Sequence, residues 1–332
     1  MNKQMKANEI FKELNIKTDY NEEKINLISV PLNIILNGGI SKDGEVIQLV
    51  GESSTGRTTI ALQIAAAYCE QSMKVLYIDT CNSVTSDKLN IFRLSKHKDT
   101  NFFYCRENTF EKVEQILDKF VDTNEISLII IDTIAGLINE GYLNISKKGI
   151  SITNNNSNYD SRPLSLLIKK YSRLVNERKF SLLLINDMRQ KVHKKLGTMS
   201  KRYGPKILDY SCHNIIKIAQ GTGSNFKKKF DNLKDGMVMD LEIVKSNHFK
   251  PATKLPYYFK YTTGISTIHS VIYYLMEAKL IVQQGTYYEL VGTGIKTNGL
   301  ANFIEAFRPL YKEIYKNKHD EIYNYYKNTY IV

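Results

Sequence analysis

Short aliphatic runs, apolar throughout rather than alternating, recur between stretches of helical periodicity over the first two thirds of the chain. EVIQLV (45–50), KVLYID (74–79), NFFYC (101–105), SLIIID (127–132) and FSLLLIN (180–186) read as strands. TIALQIAAAYCEQ, TFEKVEQILDKFV and PLSLLIKKYSRLVNER read as the helices between them. Strands without a polar face, alternating with helices, predict a mostly parallel sheet covered on both sides. From Asn214 the texture changes. NIIKIAQ and MVMDLEIVKS predict alternating strands, bridged by SNFKKKFDNLKDG as a basic hairpin. After Gly264, helices interleave with a short hairpin around QQGTYYELV, which places a small C-terminal domain beyond a boundary near residue 262. YKEIYKNKHDEIYNYYKN predicts a docked surface helix, with Tyr and Ile spaced for packing. ITNNNSNYDS (152–161) reads as a mobile loop.

Composition narrows the class. A chain of 332 residues has room for one large α/β domain with appendages, or for two domains. No run approaches the roughly 18 apolar residues of a membrane helix. MNKQMKANEIFKELNI lacks the apolar stretch of a secretory signal and reads instead as an amphipathic helix, with Ile10, Phe11 and Leu14 on one side. Cys69, Cys81, Cys105 and Cys212 show no C-x-x-C pair and no zinc spacing, which predicts reduced, packed thiols in a cytoplasmic protein. The net charge of +12 fits a polyanionic partner. A chain rich in Lys, Asn, Ile and Tyr is also what AT-rich coding would produce, so the position of the charge matters more than its sum.

GESSTGRTT (51–59) follows a buried strand and opens a helix, the context in which a G-x-x-x-x-G-K-[ST] phosphate loop works. Its amides and the helix N-terminus would meet phosphate oxygens, and the Thr58 hydroxyl would hold Mg²⁺. A strand-to-helix turn with glycines for geometry alone is the competing reading. Asp132, an acid closing the buried strand SLIIID, stands where Mg²⁺-bound water needs orienting and so favours a nucleotide site. Arg57 occupies the lysine position. A guanidinium keeps the charge but is bulkier, planar and forked, so binding is expected to survive better than turnover.

The likeness extends beyond this loop. ISVPLNIILNGGISKDGEVIQLVGESSTGRTT, KVLYID, LLLINDMRQKV and MDLEIVKSNHFKPATK resemble, in order, successive segments of the RecA family of DNA recombinases. TTGISTIHSVIYYLMEAKLIVQQGTYYELVGTGI resembles the small C-terminal domain of the bacterial branch, so the likeness runs from about residue 27 to about residue 300. The resemblance implies an α/β fold: a RecA-like P-loop ATPase core (27–262), a short N-terminal oligomerisation helix (1–26) and a small α+β C-terminal domain (263–332). It also implies ATP and Mg²⁺ as cofactors. The cradle would be Gly51, Glu52, Ser53, Ser54, Thr55, Gly56, Arg57, Thr58 and Thr59, with Thr58 and Asp132 on the metal. CRENTFEKVEQIL is similar to the segment with the family's catalytic glutamate, which assigns Glu111 to the attacking water; by itself Glu111 is an ordinary acid of a helix first turn. Two further positions depart from the family. Asp187 replaces the switch glutamine that senses the γ-phosphate, and Asn247 replaces one interface lysine, leaving Lys245 to reach a neighbour's nucleotide. A carboxylate facing a γ-phosphate requires a cation between them; Arg57 or Mg²⁺ would be that cation, which makes Arg57 and Asp187 candidate partners.

RQKVHKKLGTMSKRYGPK (189–206) holds seven Lys or Arg, one His and no acid, and reads as a loop. A solvated basic loop is the bland account. Its place after a core strand and beside the switch favours DNA. Arg189, Lys191, Lys194, Lys195, Lys201, Arg202 and Lys206 would contact phosphates, while Met199 and Tyr203 would wedge or stack between bases. The stretch 139–162 corresponds to the family's first DNA loop and offers Lys147, Lys148 and Arg162. The expectation is a cytoplasmic, phage-like recombinase that forms filaments on single-stranded DNA, pairs it with double-stranded DNA and has no membrane partner. The alternative is a hydrolysis-impaired paralogue acting on DNA as a structural or mediator protein.

Overall fold

Alternate residues of each apolar strand fall into two separate hydrophobic clusters, which are the two faces of one sheet. The computed structural model describes residues 23–141, 161–193, 197–221, 226, 230 and 235–330. β1 (Lys24–Ile25), α1 (Val30–Ile35) and β2 (Ile40–Ser41) lead into β3 (Val46–Gly51), α2 (Arg57–Glu70) and β4 (Lys74–Asp79). α3 (Ser86–Ile91), β5 (Phe102–Arg106), α4 (Phe110–Asp122), β6 (Ile126–Asp132) and α5 (Ser161–Arg178) follow. Next come β7 (Ser181–His193), β8 (Gly197–Arg202), α6 (Ile207–Ser211) and β9 (Asn214–Gln220). β5, β4, β6, β7, β3 and β9 lie side by side and parallel. Ile47, Leu49, Leu128, Ile130, Leu183 and Ile185 turn to the face covered by α2. Val46, Val50, Ile129, Ile131, Leu182 and Leu184 turn to the face covered by α4 and α5. Each such side chain removed from water contributes about 1.5–3 kcal/mol, which is why strands with no polar face settle at the centre.

Beyond β9 the sheet continues antiparallel through β10 (Gly236–Lys245), β11 (Lys254–Lys260) and β12 (Gly264–Ile265). α7 (Thr267–Glu277) comes next, then the three-stranded antiparallel sheet of β13 (Ile281–Gln284), β14 (Tyr287–Leu290) and β15 (Ile295–Asn298). α8 (Leu300–Phe307) and α9 (Tyr311–Tyr330) complete the described chain. The hydrophobic cluster on the α2 face runs without a break across residue 262, taking in Val271, Tyr274, Phe303, Ile322 and Tyr326. Gln63 of α2 ties the two parts together. Its amide donates to the Ile265 carbonyl at 3.0 Å, and its carbonyl accepts from the Ile265 N–H at 3.0 Å. α9 docks as its spacing predicts: Tyr315, Ile322 and Tyr326 are buried, and Tyr326 meets the Tyr274 ring edge-on at 5.0 Å.

Two expectations change. The segment 224–236 is not the predicted hairpin where it is described, because Phe226 and Phe230 are both helical and buried. Their ring centroids lie 4.7 Å apart. Of the cysteines, all free, Cys69 and Cys212 are buried as expected but Cys81 is exposed. Residues 1–22, with the expected N-terminal helix, lie outside the described residues. Among the described residues no helix is long and apolar enough to cross a membrane, and no His, Cys, Asp and Glu cluster suits a metal on its own.

His269 gives this packing a pH dependence. It is 6 % exposed, set between the Tyr258 and Phe230 rings, with Nδ1 on the Ser266 hydroxyl at 2.7 Å. Burial, with Lys260 and Arg308 adding to it against Asp235, pushes its pKa down to about 4. The unfolded chain, with an ordinary histidine near 6.5, therefore binds the proton first as pH falls. The contribution is complete above pH ~6.5 and is lost on acidification toward pH ~4, by roughly 2–3 kcal/mol. Urea unfolding across that window should show the loss, and His269→Gln should flatten it.

Candidate functional site

The phosphate loop owes its shape to two glycines. Gly51 ends β3 where an added Cβ would stand 2.6 Å from the Thr55 hydroxyl and 3.0 Å from the Ile218 carbonyl. Gly56 takes φ +86° immediately before α2, a left-handed conformation that glycine adopts without penalty. Thr55 closes the loop by donating its hydroxyl to the Glu52 carbonyl at 2.9 Å. The first turn of α2 carries no acid, so the positive end of its dipole is left for an anion. A cavity of about 370 Å³ opens beside the loop, lined by Glu52, Ser53, Ser54 and Thr55 and by Met188, Lys217 and Met239 from the neighbouring strands.

Two acids end adjacent strands in register, Asp79 on β4 and Asp132 on β6, and their surroundings separate them. Asp79 is spent on its own turn. It accepts from the amides of Cys81, Ser83 and Val84 and from the Tyr104 hydroxyl. Asp132, 1 % exposed, accepts the Tyr77 hydroxyl on Oδ2 at 2.7 Å, while its buried Oδ1 accepts no hydrogen bond. Burial raises the Asp132 pKa; Tyr77, the adjacent Thr58 hydroxyl and Arg57 oppose it. Thr58 stands beside the carboxylate without completing a bond to Oδ1. A buried, unpaired carboxylate oxygen next to a threonine hydroxyl is a donor pair suited to Mg²⁺ and its water shell.

Arg57 points from the first residue of α2 to the middle of β7, where its pairing with β3 ends. Its guanidinium, 12 % exposed, is ion-paired with Asp187 and donates to the Asn186 carbonyl at 2.5 Å. The parallel register of β3 and β7, with Gly51 opposite Asp187, brings the two positions together. Asn186 is fully buried and donates to the Tyr203 carbonyl at 2.8 Å, while the Tyr203 N–H donates to the Asp187 carbonyl at 3.0 Å. These bonds form the root of a ribbon in which Met188 pairs with Arg202 and His193 with Gly197. The basic stretch, expected as a loop, is therefore a β-hairpin. Polarity does not oppose a two-stranded ribbon, because the ladder satisfies both backbones.

The model of the RecA N-terminal domain family matches residues 1–266 of this chain. The chain belongs to the RecA family. Its relatives include the protein RecA of Phytoplasma mali, 25 % identical over 286 residues, covering 86 % of this chain and 81 % of that protein. The protein RecA of Malacoplasma penetrans is 23 % identical, over 87 % of this chain and 85 % of that one. That of Lactococcus lactis subsp. cremoris strain MG1363 is 21 % identical, over 88 % and 75 %. None of these three is a phage protein.

Within this RecA-family chain the remaining expected residues are dispersed. Glu111 is half-buried in the first turn of α4, and its Oε2 accepts from the Glu140 N–H at 3.1 Å. Among the described residues, no hydrogen bond or ion pair joins it to the phosphate loop, Thr58 or Asp132. Lys245 closes α6 of its own chain, donating to the carbonyls of Asp209 at 2.8 Å and Cys212 at 2.7 Å. Arg202 is paired with Asp209 at 2.9 Å. Tyr203 is half-buried, packed against the cluster on the α4 and α5 face. Lys206 and Arg162 are exposed, and Thr59 continues α2. Arg189, Lys191, Met199 and Lys201 are placed by backbone register alone, Arg189 opposite Lys201 and Lys191 opposite Met199. Lys147, Lys148, Lys194 and Lys195 lie outside the described residues. Tyr77 is the participant that sequence reasoning passes over, since a tyrosine within an apolar strand reads as core. The acid ending the strand paired beside it was the available signal.

Proposed function

We propose that this protein is an ATP-dependent recombinase of DNA repair, which binds single-stranded DNA as a filament, promotes its pairing with double-stranded DNA, and turns ATP over slowly. The observation that carries this reading is the Arg57–Asp187 ion pair, which joins the phosphate loop to the root of the basic hairpin. Gly51 to Thr59 hold the triphosphate, with Thr58 and Asp132 as the metal's protein donors. Mg²⁺ bound there neutralises phosphate charge and orders the water around it. A γ-phosphate competes with Asp187 for Arg57. Two like charges ~4 Å apart repel by about 4 kcal/mol at an effective dielectric of 20, so Asp187 gives way unless a cation intervenes. Its backbone bonds to Tyr203 carry that change to the hairpin, where lysines and arginines meet the DNA backbone.

Slow turnover follows from two features. The forked guanidinium of Arg57 must first be drawn away from Asp187, and Glu111 is engaged by Glu140. The same Glu111 contact favours a second reading, a hydrolysis-impaired structural or mediator protein on DNA. Fluorescence anisotropy of a labelled oligo-dT at one stated salt concentration, with and without ATP and Mg²⁺, tests both. Cooperative binding that tightens with ATP supports the recombinase. Binding indifferent to ATP overturns it in favour of the mediator.

A further inference from the structure

The two oxygens of Asp132 are not equivalent, and a neighbouring strand makes them so. Tyr77 is fully buried on β4, its ring fixed between Phe102 and Tyr104 at centroid distances of 6.2 and 6.1 Å. From there its hydroxyl donates to Asp132 Oδ2 at 2.7 Å, and Oδ1 is left without a hydrogen bond beside Thr58. We propose that Tyr77 is a positioning residue of the nucleotide site: its hydroxyl locks the carboxylate plane of Asp132 so that Oδ1 is the oxygen presented to Mg²⁺-bound water. The proposal rests on the ATP–Mg²⁺ reading above and goes further in naming the residue that sets metal affinity.

Packing alone does not require this hydroxyl. A phenylalanine would keep the contacts with Phe102 and Tyr104 and would leave Asp132 Oδ2 buried with no donor. The carboxylate would then be free to turn, or to exchange which oxygen faces the metal. Groups that hold a metal ligand from behind commonly change metal affinity 10- to 100-fold when removed, because a ligand displaced by a fraction of an ångström no longer matches the ion's geometry. Tyr104 supplies an internal comparison. Its hydroxyl also donates to a carboxylate, but that carboxylate is Asp79, already saturated by the amides of its own turn.

The test is the affinity of the full chain for a fluorescent ATP analogue, titrated with free Mg²⁺, for the native protein, Tyr77→Phe, Tyr104→Phe and Asp132→Asn. Tyr77→Phe is expected to raise the Mg²⁺ midpoint about tenfold, to leave affinity in EDTA unchanged and to melt as a folded protein. Tyr104→Phe is expected to keep the native midpoint. A native midpoint in Tyr77→Phe, with a raised one in Asp132→Asn, overturns the proposal and leaves the metal site standing. Equal losses with and without Mg²⁺, or an unfolded Tyr77→Phe chain, overturn it by assigning the hydroxyl to the fold. If Mg²⁺ does not alter nucleotide binding by the native protein, the metal-site reading itself fails and this proposal falls with it.

Discussion

Gly56→Ala is expected to abolish nucleotide binding and to destabilise the chain by roughly 2–4 kcal/mol. Two penalties combine. Alanine at φ +86° carries the left-handed penalty of an L side chain, and its Cβ would lie 2.4 Å and 2.5 Å from two carbons of the Phe259 ring. Phe259 is itself in the core, 6 % exposed, so neither partner moves cheaply. Relief comes from displacing the loop, and a loop moved by part of an ångström no longer aims its amides at phosphate oxygens. Urea unfolding gives the stability and titration with a fluorescent ATP analogue gives the binding. Native affinity in Gly56→Ala would contradict this account of the loop.

Asp187→Asn should tighten ATP about tenfold and change ADP much less. The substitution keeps a side-chain acceptor for Arg57 but removes a negative charge from the point where β7 leaves β3. Asp187 is 37 % exposed, so solvent screens much of its field. A net repulsion of about 1–2 kcal/mol toward a γ-phosphate remains, which is roughly tenfold in affinity. ADP lacks the group that feels it. Parallel titrations with the two nucleotides measure the ratio; an unchanged ratio would mean that Asp187 does not face the γ-phosphate. Because the same residue anchors the hairpin root through its backbone, ATP should also lose part of its influence on oligo-dT binding in this variant.

Much of the sheet was legible because burial on both faces leaves a strong trace: EVIQLV and SLIIID have no polar side to hide. Asp132 stood out as an acid closing such a run. Arg57 and Asp187 were legible as candidate partners because each departs from the pattern of the family the chain resembles, and the pairing of β3 with β7 brings them together. What failed depended on partners distant in sequence. The hairpin was read as a loop because its lysines argue against a core strand, whereas a ribbon needs a partner strand and no core. Phe226 and Phe230 looked like hairpin residues beside KKK until the rings of Tyr273 and His269 supplied something to pack against. The Glu111 contact with Glu140 was also out of reach, because it depends on the path of the chain after β6. Tyr77 required the offset between β4 and β6, in which Tyr77 pairs with Ile130 but its hydroxyl reaches two residues further.

The reciprocal bonds between Gln63 and Ile265 make the helix that opens at the phosphate loop and the strand that begins the C-terminal segment one mechanical piece. Cutting the chain near residue 262 is therefore expected to perturb both parts. It would strip Phe259 and Tyr258 of their cover and leave Gln63 with both halves of its amide unanswered. The C-terminal segment thus shares the hydrophobic cluster of the α/β core, and the two are expected to unfold together in a single urea transition.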